Sequence, residues 1–258
     1  MDLHLDGKVA LVTGASRGIG LGIARSLAQE GCRLALCARG REALDAAAEE
    51  LRATGAEVLT RSFDVTAPSA IEDFVAETTE RFGCVDVVVG NAGGNHRGRV
   101  LEVDDEAWHR IYSLNVQANI RAARAAAPGM IERRNGSILF IASIYGREAG
   151  GAGLAIYNST KSALISFAKI LALELAGSGV RVNTVAPGSI RFAGGSWDRR
   201  CREQPAEMAA FIERELPLGR FGTVQEVADV VAFLASERAG LVTGACVNVD
   251  GGQSSSLI

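Results

Sequence analysis

An α/β fold built on a doubly wound parallel sheet is what this chain predicts, and three observations carry the prediction. Short apolar runs alternate with helix-length amphipathic stretches from one end to the other. The apolar runs are nearly continuous, as strands covered on both faces should be. A glycine-rich turn follows the first run directly and opens a helical pattern.

In order, the strand candidates are KVALVT, CRLALC, EVLTRSF, VDVVVG, GSILFIAS, VRVNTVA and ACVNVD, so a seven-stranded sheet is expected. Helical periodicity fills the gaps at 19–30, 41–53, 70–81, 116–133, 155–176 and 224–234. That order puts helices on both faces of the sheet. With no internal repeat, low-complexity tract or linker, residues 1–258 read as a single domain. The least regular stretch, about 189–217, follows the sixth strand with a glycine pair and a helical second half. An insertion of this kind is the natural candidate for a substrate lid.

The totals narrow the function. A hydrophobic content of 48% with 22% charged residues describes a globular chain with a sizeable core. A net charge of -3 gives no electrostatic reason to expect nucleic acid. Acidic residues precede the first apolar run, which is too short and glycine-rich for a signal peptide or membrane span, so a cytoplasmic protein with no membrane partner is expected. The five cysteines form no CxxC pair, and His4, His96 and His109 are scattered. Neither a disulfide framework nor a metal site is expected.

The first strand runs into TGASRGIG, Thr13 to Gly20. Glycines at a strand-to-helix turn let the backbone approach a pyrophosphate, and the helix N-terminus supplies N–H groups and partial positive charge. The spacing Gly14, Gly18, Gly20 is not the general G-x-G-x-x-G pattern, and no Walker lysine follows. The end of the second strand says more. Where NAD-binding folds commonly place an acid for the ribose, this chain has Ala38 and Arg39, and no carboxylate until Glu42. A guanidinium binds phosphate in a bidentate fork, so Arg39, helped by Arg17, points to NADP(H).

AIYNSTKSAL sets Tyr157 and Lys161 one helical turn apart. By itself the pair reads either as an ordinary surface contact or as a tyrosine acid tuned by a nearby positive charge. The wider pattern decides between them. TGxxxGxG at 13–20, NAG at 91–93, Asn115, Ser143, Tyr157-x-x-x-Lys161 and PG at 187–188 stand in the order and spacing of the short-chain dehydrogenase/reductase family. The resemblance covers essentially the whole chain. It is strongest to the subgroup that includes 3-oxoacyl-acyl-carrier-protein reductases, through GRFGTVQEVADVVAFLAS and the ending VTGACVNVDGG.

That resemblance implies a Rossmann-like domain and a ketone reductase using NADPH, with a 3-oxoacyl thioester as the expected substrate. The alternatives are a dehydrogenase of a sugar, steroid or other secondary alcohol, and a catalytically silent nucleotide sensor. The developing oxyanion needs a proton donor and a hydrogen-bond donor. Tyr157 would donate the proton and Ser143 would bond the oxygen. Lys161, with the positive nicotinamide, would lower the tyrosine and hold the ribose, and Asn115 would anchor a relay water. The cofactor-binding set implied is Gly14, Ser16, Arg17, Gly18, Ile19 and Gly20 in the turn, with Arg39. Asp64 and Val65 would meet the adenine, Asn91, Ala92 and Gly93 the adenosine side, and Pro187, Gly188 and Ile190 the nicotinamide. Two positions depart from the family pattern: Gly90, where many relatives have asparagine, and Phe192, where relatives often have a threonine that bonds the carboxamide. His96, Arg97, Tyr145, Arg147, Leu154 and Trp197 are expected around the pocket mouth. The family habit of pairing the helices at 116–133 and 155–176 across a twofold axis implies a homotetramer, with a dimer as the alternative.

Overall fold

The seven apolar runs form one all-parallel sheet in the computed structural model, which describes residues 2–257. The strands are β1 Val9–Thr13, β2 Arg33–Ala38, β3 Val58–Ser62, β4 Val87–Gly90, β5 Gly136–Ile141, β6 Val180–Pro187 and β7 Cys246–Val249, in the order β3-β2-β1-β4-β5-β6-β7. The helices are α1 Gly18–Gln29, α2 Arg41–Ala53, α3 Ala70–Phe82, α4 Asp105–Tyr112, α5 Ala118–Arg133, α6 Ala155–Leu175, α7 Ser196–Glu203, α8 Pro205–Glu215 and α9 Val224–Ala235.

Strand residues alternate between two cores. Ala10 and Val12 of β1 join Ile23 and Leu27 of α1 and Val227 and Val231 of α9 on one face. Leu11 joins Phe74 of α3, Ala122 and Met130 of α5 and Leu164 of α6 on the other. The runs β1, β4 and β5 are buried along their whole length, which is why they read as continuous apolar segments. The edge strands β3 and β7 are only partly covered, so the expectation of burial on both faces fails for them.

Three local features depart from the periodicity. Asp104 caps α4, its carboxylate accepting the Ala107 N–H at 2.8 Å, and eight residues are too few for a clear period. The helix expected from 116 begins as π-helical backbone over Ser113–Gln117 before α5 proper. The candidate lid holds two helices, α7 and α8, whose Trp197 and Phe211 rings stack at 4.8 Å. No helix among the described residues is long and apolar enough to cross a membrane.

The strand order reverses between β1 and β4, which opens a crevice beyond their carboxyl ends. Gly14 follows β1 there and Asn91 follows β4.

Candidate active site

Two sets of residues meet at this crevice. On the nucleotide side, Gly14 adopts φ +67°, and a Cβ there would lie 3.0 Å from both Ala92 Cα and Asn91 Nδ2. Only glycine fits that conformation and that approach. Asn91 Nδ2 donates to the Thr13 and Gly14 carbonyls (2.9 and 3.2 Å), while Thr13 Oγ1 accepts the N–H groups of Asn91 and Ala92 (3.0 and 2.9 Å). The two turns are thus tied into one rim. Among the described residues no side chain caps α1, and its first turn holds no acid, which leaves the helix N-terminus suited to an anion.

A cleft of about 530 Å³ lies along this rim. Gly14, Ser16, Arg17, Ile19, Gly20, Arg39, Val65, Asn91, Ala92 and Gly93 line it, all from the expected cofactor set. No described carboxylate shares its wall, whereas two exposed guanidinium groups, Arg17 and Arg39, do. That donor set fits the phosphates of NADP(H).

The remaining expected contacts stand outside this wall. Asp64 spends Oδ1 on the Thr66 N–H and hydroxyl (2.9 and 2.7 Å); burial pushes its carboxyl up, but these bonds and the Arg39 charge hold it below the ordinary value. Gly18 lies under the Phe192 ring, at a spacing that would put a Cβ 2.7 Å from Phe192 Cζ. Pro187 ends β6, the Gly188 N–H bonds the Val249 carbonyl (3.1 Å), and Ile190 is buried. Phe192 itself lines the cleft, as do Phe63 and Leu114. The sequence signalled Phe192 only as a departure and the other two not at all.

On the chemical side, Ser143 leaves β5 in extended backbone, and its Oγ accepts the Tyr145 N–H at 3.2 Å. Tyr157 and Lys161 occupy the first turns of α6, and the Ser143 side chain acts on the Tyr157 phenol to hold its pKa down against burial. Lys161 is 5% exposed; its Nζ lies 5.8 Å from the Tyr157 ring centroid and donates to the Ile141 carbonyl at 2.7 Å. Asn115 is fully buried in the π-helical segment. Its side chain accepts the Gly94 N–H (2.8 Å) and donates to the Gly94 carbonyl and Thr160 Oγ1 (both 2.9 Å). This brings the loop after β4 against the residue preceding Lys161.

Burial dominates the electrostatics here. It pulls Lys161 down to about 8 and pushes the Tyr157 phenol up, with the Ser143 hydrogen bond opposing the rise. The sequence expectation that Lys161 lowers Tyr157 is therefore corrected for the protein alone. The ammonium is directed at the Ile141 carbonyl, and the same burial weakens its own hold on a proton. Arg147 is also corrected: its guanidinium bonds Asn248 Oδ1 (2.7 Å) and the Cys246 carbonyl (3.3 Å), bracing β7 instead of facing the pocket mouth. Trp197 stacks on Phe211 of the lid and meets the Phe221 ring just beyond it at a tilt. Among the described residues no group of His, Cys, Asp or Glu is placed to hold a metal ion.

Comparison with known proteins agrees with this geometry. A family model described as enoyl-(acyl carrier protein) reductase matches residues 14–254. The 3-oxoacyl-[acyl-carrier-protein] reductase FabG of Escherichia coli is 37% identical over 250 residues, covering 97% of this chain and 98% of that protein. L-sorbose reductase from Gluconobacter frateurii, solved with NADPH and L-sorbose, superimposes with a TM-score of 0.95 at 36% identity, covering 100% of both chains. A short-chain type dehydrogenase/reductase from Mycobacterium marinum matches with a TM-score of 0.89 at 33% identity, covering 99% of this chain and 98% of that one. The crevice, the half-buried tyrosine one turn from a buried lysine, and these full-length likenesses make the chain a member of the short-chain dehydrogenase/reductase family of oxidoreductases.

Proposed function

We propose that the protein is an NADPH-dependent ketone reductase whose substrate is a 3-oxoacyl thioester. The observation that carries the reading is the meeting of Ser143, Tyr157 and Lys161 beside a cleft lined by Arg17 and Arg39. Full-length similarity to a 3-oxoacyl-[acyl-carrier-protein] reductase supports the substrate class.

The bound cofactor supplies the hydride. Every other task falls to the chain. Ser143 Oγ donates a hydrogen bond to the substrate oxygen as negative charge grows there. Tyr157 Oη gives up its proton to that oxygen. Lys161 holds the nicotinamide ribose and passes a proton back to the phenolate, with Asn115 anchoring the water that links this relay to solvent. Arg39 and Arg17 bind the 2'-phosphate. Asp64 and Val65 take the adenine, while Gly18, Pro187, Gly188 and Ile190 close around the rest of the cofactor. With Phe192 in place of threonine, the carboxamide falls to backbone groups at Ile190 or to Ser189.

The same proposal makes residues 1–258 one catalytic domain with 189–217 as its lid, cytoplasmic and homotetrameric. Exposed Ile131 on α5 and Ile170 and Leu173 on α6 support assembly across those helices. Light scattering at micromolar concentration should give four times the 27.0 kDa chain mass, and a 27.0 kDa particle contradicts it.

A second reading has its own support in the full-length likeness to L-sorbose reductase: a sugar ketone as substrate. One assay separates the two. NADPH oxidation is followed with acetoacetyl thioesters and, in parallel, with ketoses and alicyclic ketones. A specificity constant highest for the thioester supports the first reading, and one highest for a ketose replaces it. Tight NADPH binding without turnover of any ketone replaces both with a nucleotide sensor.

A further inference from the structure

Asn119 lies one turn beyond Asn115 and is 3% exposed. Its Nδ2 donates to the Asn115 backbone carbonyl at 2.8 Å. A helical side chain leans back over the preceding turn, so the four-residue spacing brings this amide to that oxygen. The acceptor is not an ordinary helical carbonyl. It belongs to the π-helical segment Ser113–Gln117, where the regular i to i−4 ladder is interrupted. A carbonyl has two lone pairs, and Asn119 occupies one while fixing the direction of the other.

Asn115 and Lys161 flank the same glycine. A Cβ at Gly93 would stand 3.2 Å from Asn115 Oδ1 and 3.5 Å from Lys161 Nζ. A small rotation of the π-helical turn would therefore be felt at the lysine.

The room for Asn119 comes from β4. A Cβ on Gly90 would overlap Asn119 Oδ1 and lie 2.7 Å from Phe140 Cδ1. Gly90 is one of the two departures from the family pattern, where many relatives carry asparagine. The α5 amide occupies the space that a β4 side chain at position 90 would take.

We propose that Asn119 is a positioning residue for the proton relay, its amide holding the Asn115 carbonyl in the space that Gly90 leaves open. The role rests on the ketone-reductase reading above. It also predicts that positions 90 and 119 are coupled: asparagine on β4 excludes asparagine on α5.

Asn119→Leu keeps the heavy-atom count and branching of the side chain and removes the donor. It should lower kcat about tenfold, the scale of one hydrogen bond. The NADPH KM should stay unchanged and the pH profile of kcat should shift. Gly90→Asn should be the worst of the set, because its Cβ meets both Asn119 Oδ1 and the buried Phe140 ring. Unchanged kcat in Asn119→Leu overturns the role. So does a fall in kcat matched by KM and melting temperature, which is what packing alone would cause. If Asn119→Leu does not fold, Asn119→Ala, which removes the donor without adding bulk, decides: a lower kcat at unchanged NADPH KM supports the role, and an unchanged kcat overturns it. Wild type is assayed alongside, and a wild type that reduces no ketone sinks the reductase reading itself and this role with it.

Discussion

The two ends of the crevice are built from different materials. At the nucleotide end the groups proposed to recognise the cofactor are backbone amides around Gly14 and two exposed guanidinium groups, Arg17 and Arg39. At the chemical end they are buried side chains, Asn115, Ser143 and Lys161, each tied to backbone from another segment or to its own loop. The contrast separates two kinds of mutational effect. Exposed charges can be removed singly and should alter cofactor choice, whereas buried groups are coupled and should alter rate and stability together.

The largest expected effect is at the chemical end. Tyr157→Phe should lower kcat by roughly 10²- to 10⁴-fold, the usual worth of general acid catalysis, with NADPH affinity nearly intact. Retention of a tenth of the wild-type kcat breaks the assignment of the proton donor.

Lys161→Met sharpens the contrast through stability. Burial holds the Lys161 ammonium near 8, so the unfolded chain binds this proton more tightly than the folded one. A group with a depressed cationic pKa destabilises the fold below that value, and the penalty fades as pH rises from about 8 toward its unfolded value near 10.4. The methionine variant without cofactor should therefore be more stable than wild type at pH 7, by at most on the order of 3 kcal/mol. The lost bond to the Ile141 carbonyl reduces that gain. Denaturant titrations at pH 7 and pH 9.5 should show the gap closing, and a variant less stable at both would show that Lys161 is not strained by its burial. The same variant should lose turnover and NADPH affinity.

At the nucleotide end the expected effect is smaller and one-sided. Arg39→Ala removes charge-assisted hydrogen bonds of roughly 1.5–3 kcal/mol, which is about a tenfold to hundredfold rise in the NADPH KM. The NADH KM should hardly move. Ala38→Asp should invert the preference further, because a carboxylate there repels the phosphate and offers the ribose hydroxyls a partner.

Legibility in the sequence follows the same division. Strands and most helices were visible because burial on one or both faces imposes a period, and Arg41–Ala53 needed no revision at either end. The glycine turn, Tyr157 and Lys161 were visible because each proposed role demands one residue type at one spacing. What stayed hidden depends on contacts between distant segments. No local pattern announces the π-helical turn at Ser113–Gln117, the Asn119 amide beside Gly90, or the Arg147 strut to β7. The desolvation of the Tyr157 phenol in the protein alone was hidden for a related reason: spacing reveals a neighbouring charge, whereas burial emerges only in the folded structure.

The most direct test of the account is a single set of initial rates for wild type, Tyr157→Phe and Arg39→Ala, each measured with NADPH and NADH on one ketone that the wild type reduces. Wild type should prefer NADPH, Tyr157→Phe should lose kcat with both cofactors at unchanged KM, and Arg39→Ala should raise the NADPH KM alone. A wild type that prefers NADH, or an Arg39→Ala that weakens both cofactors equally, would contradict it.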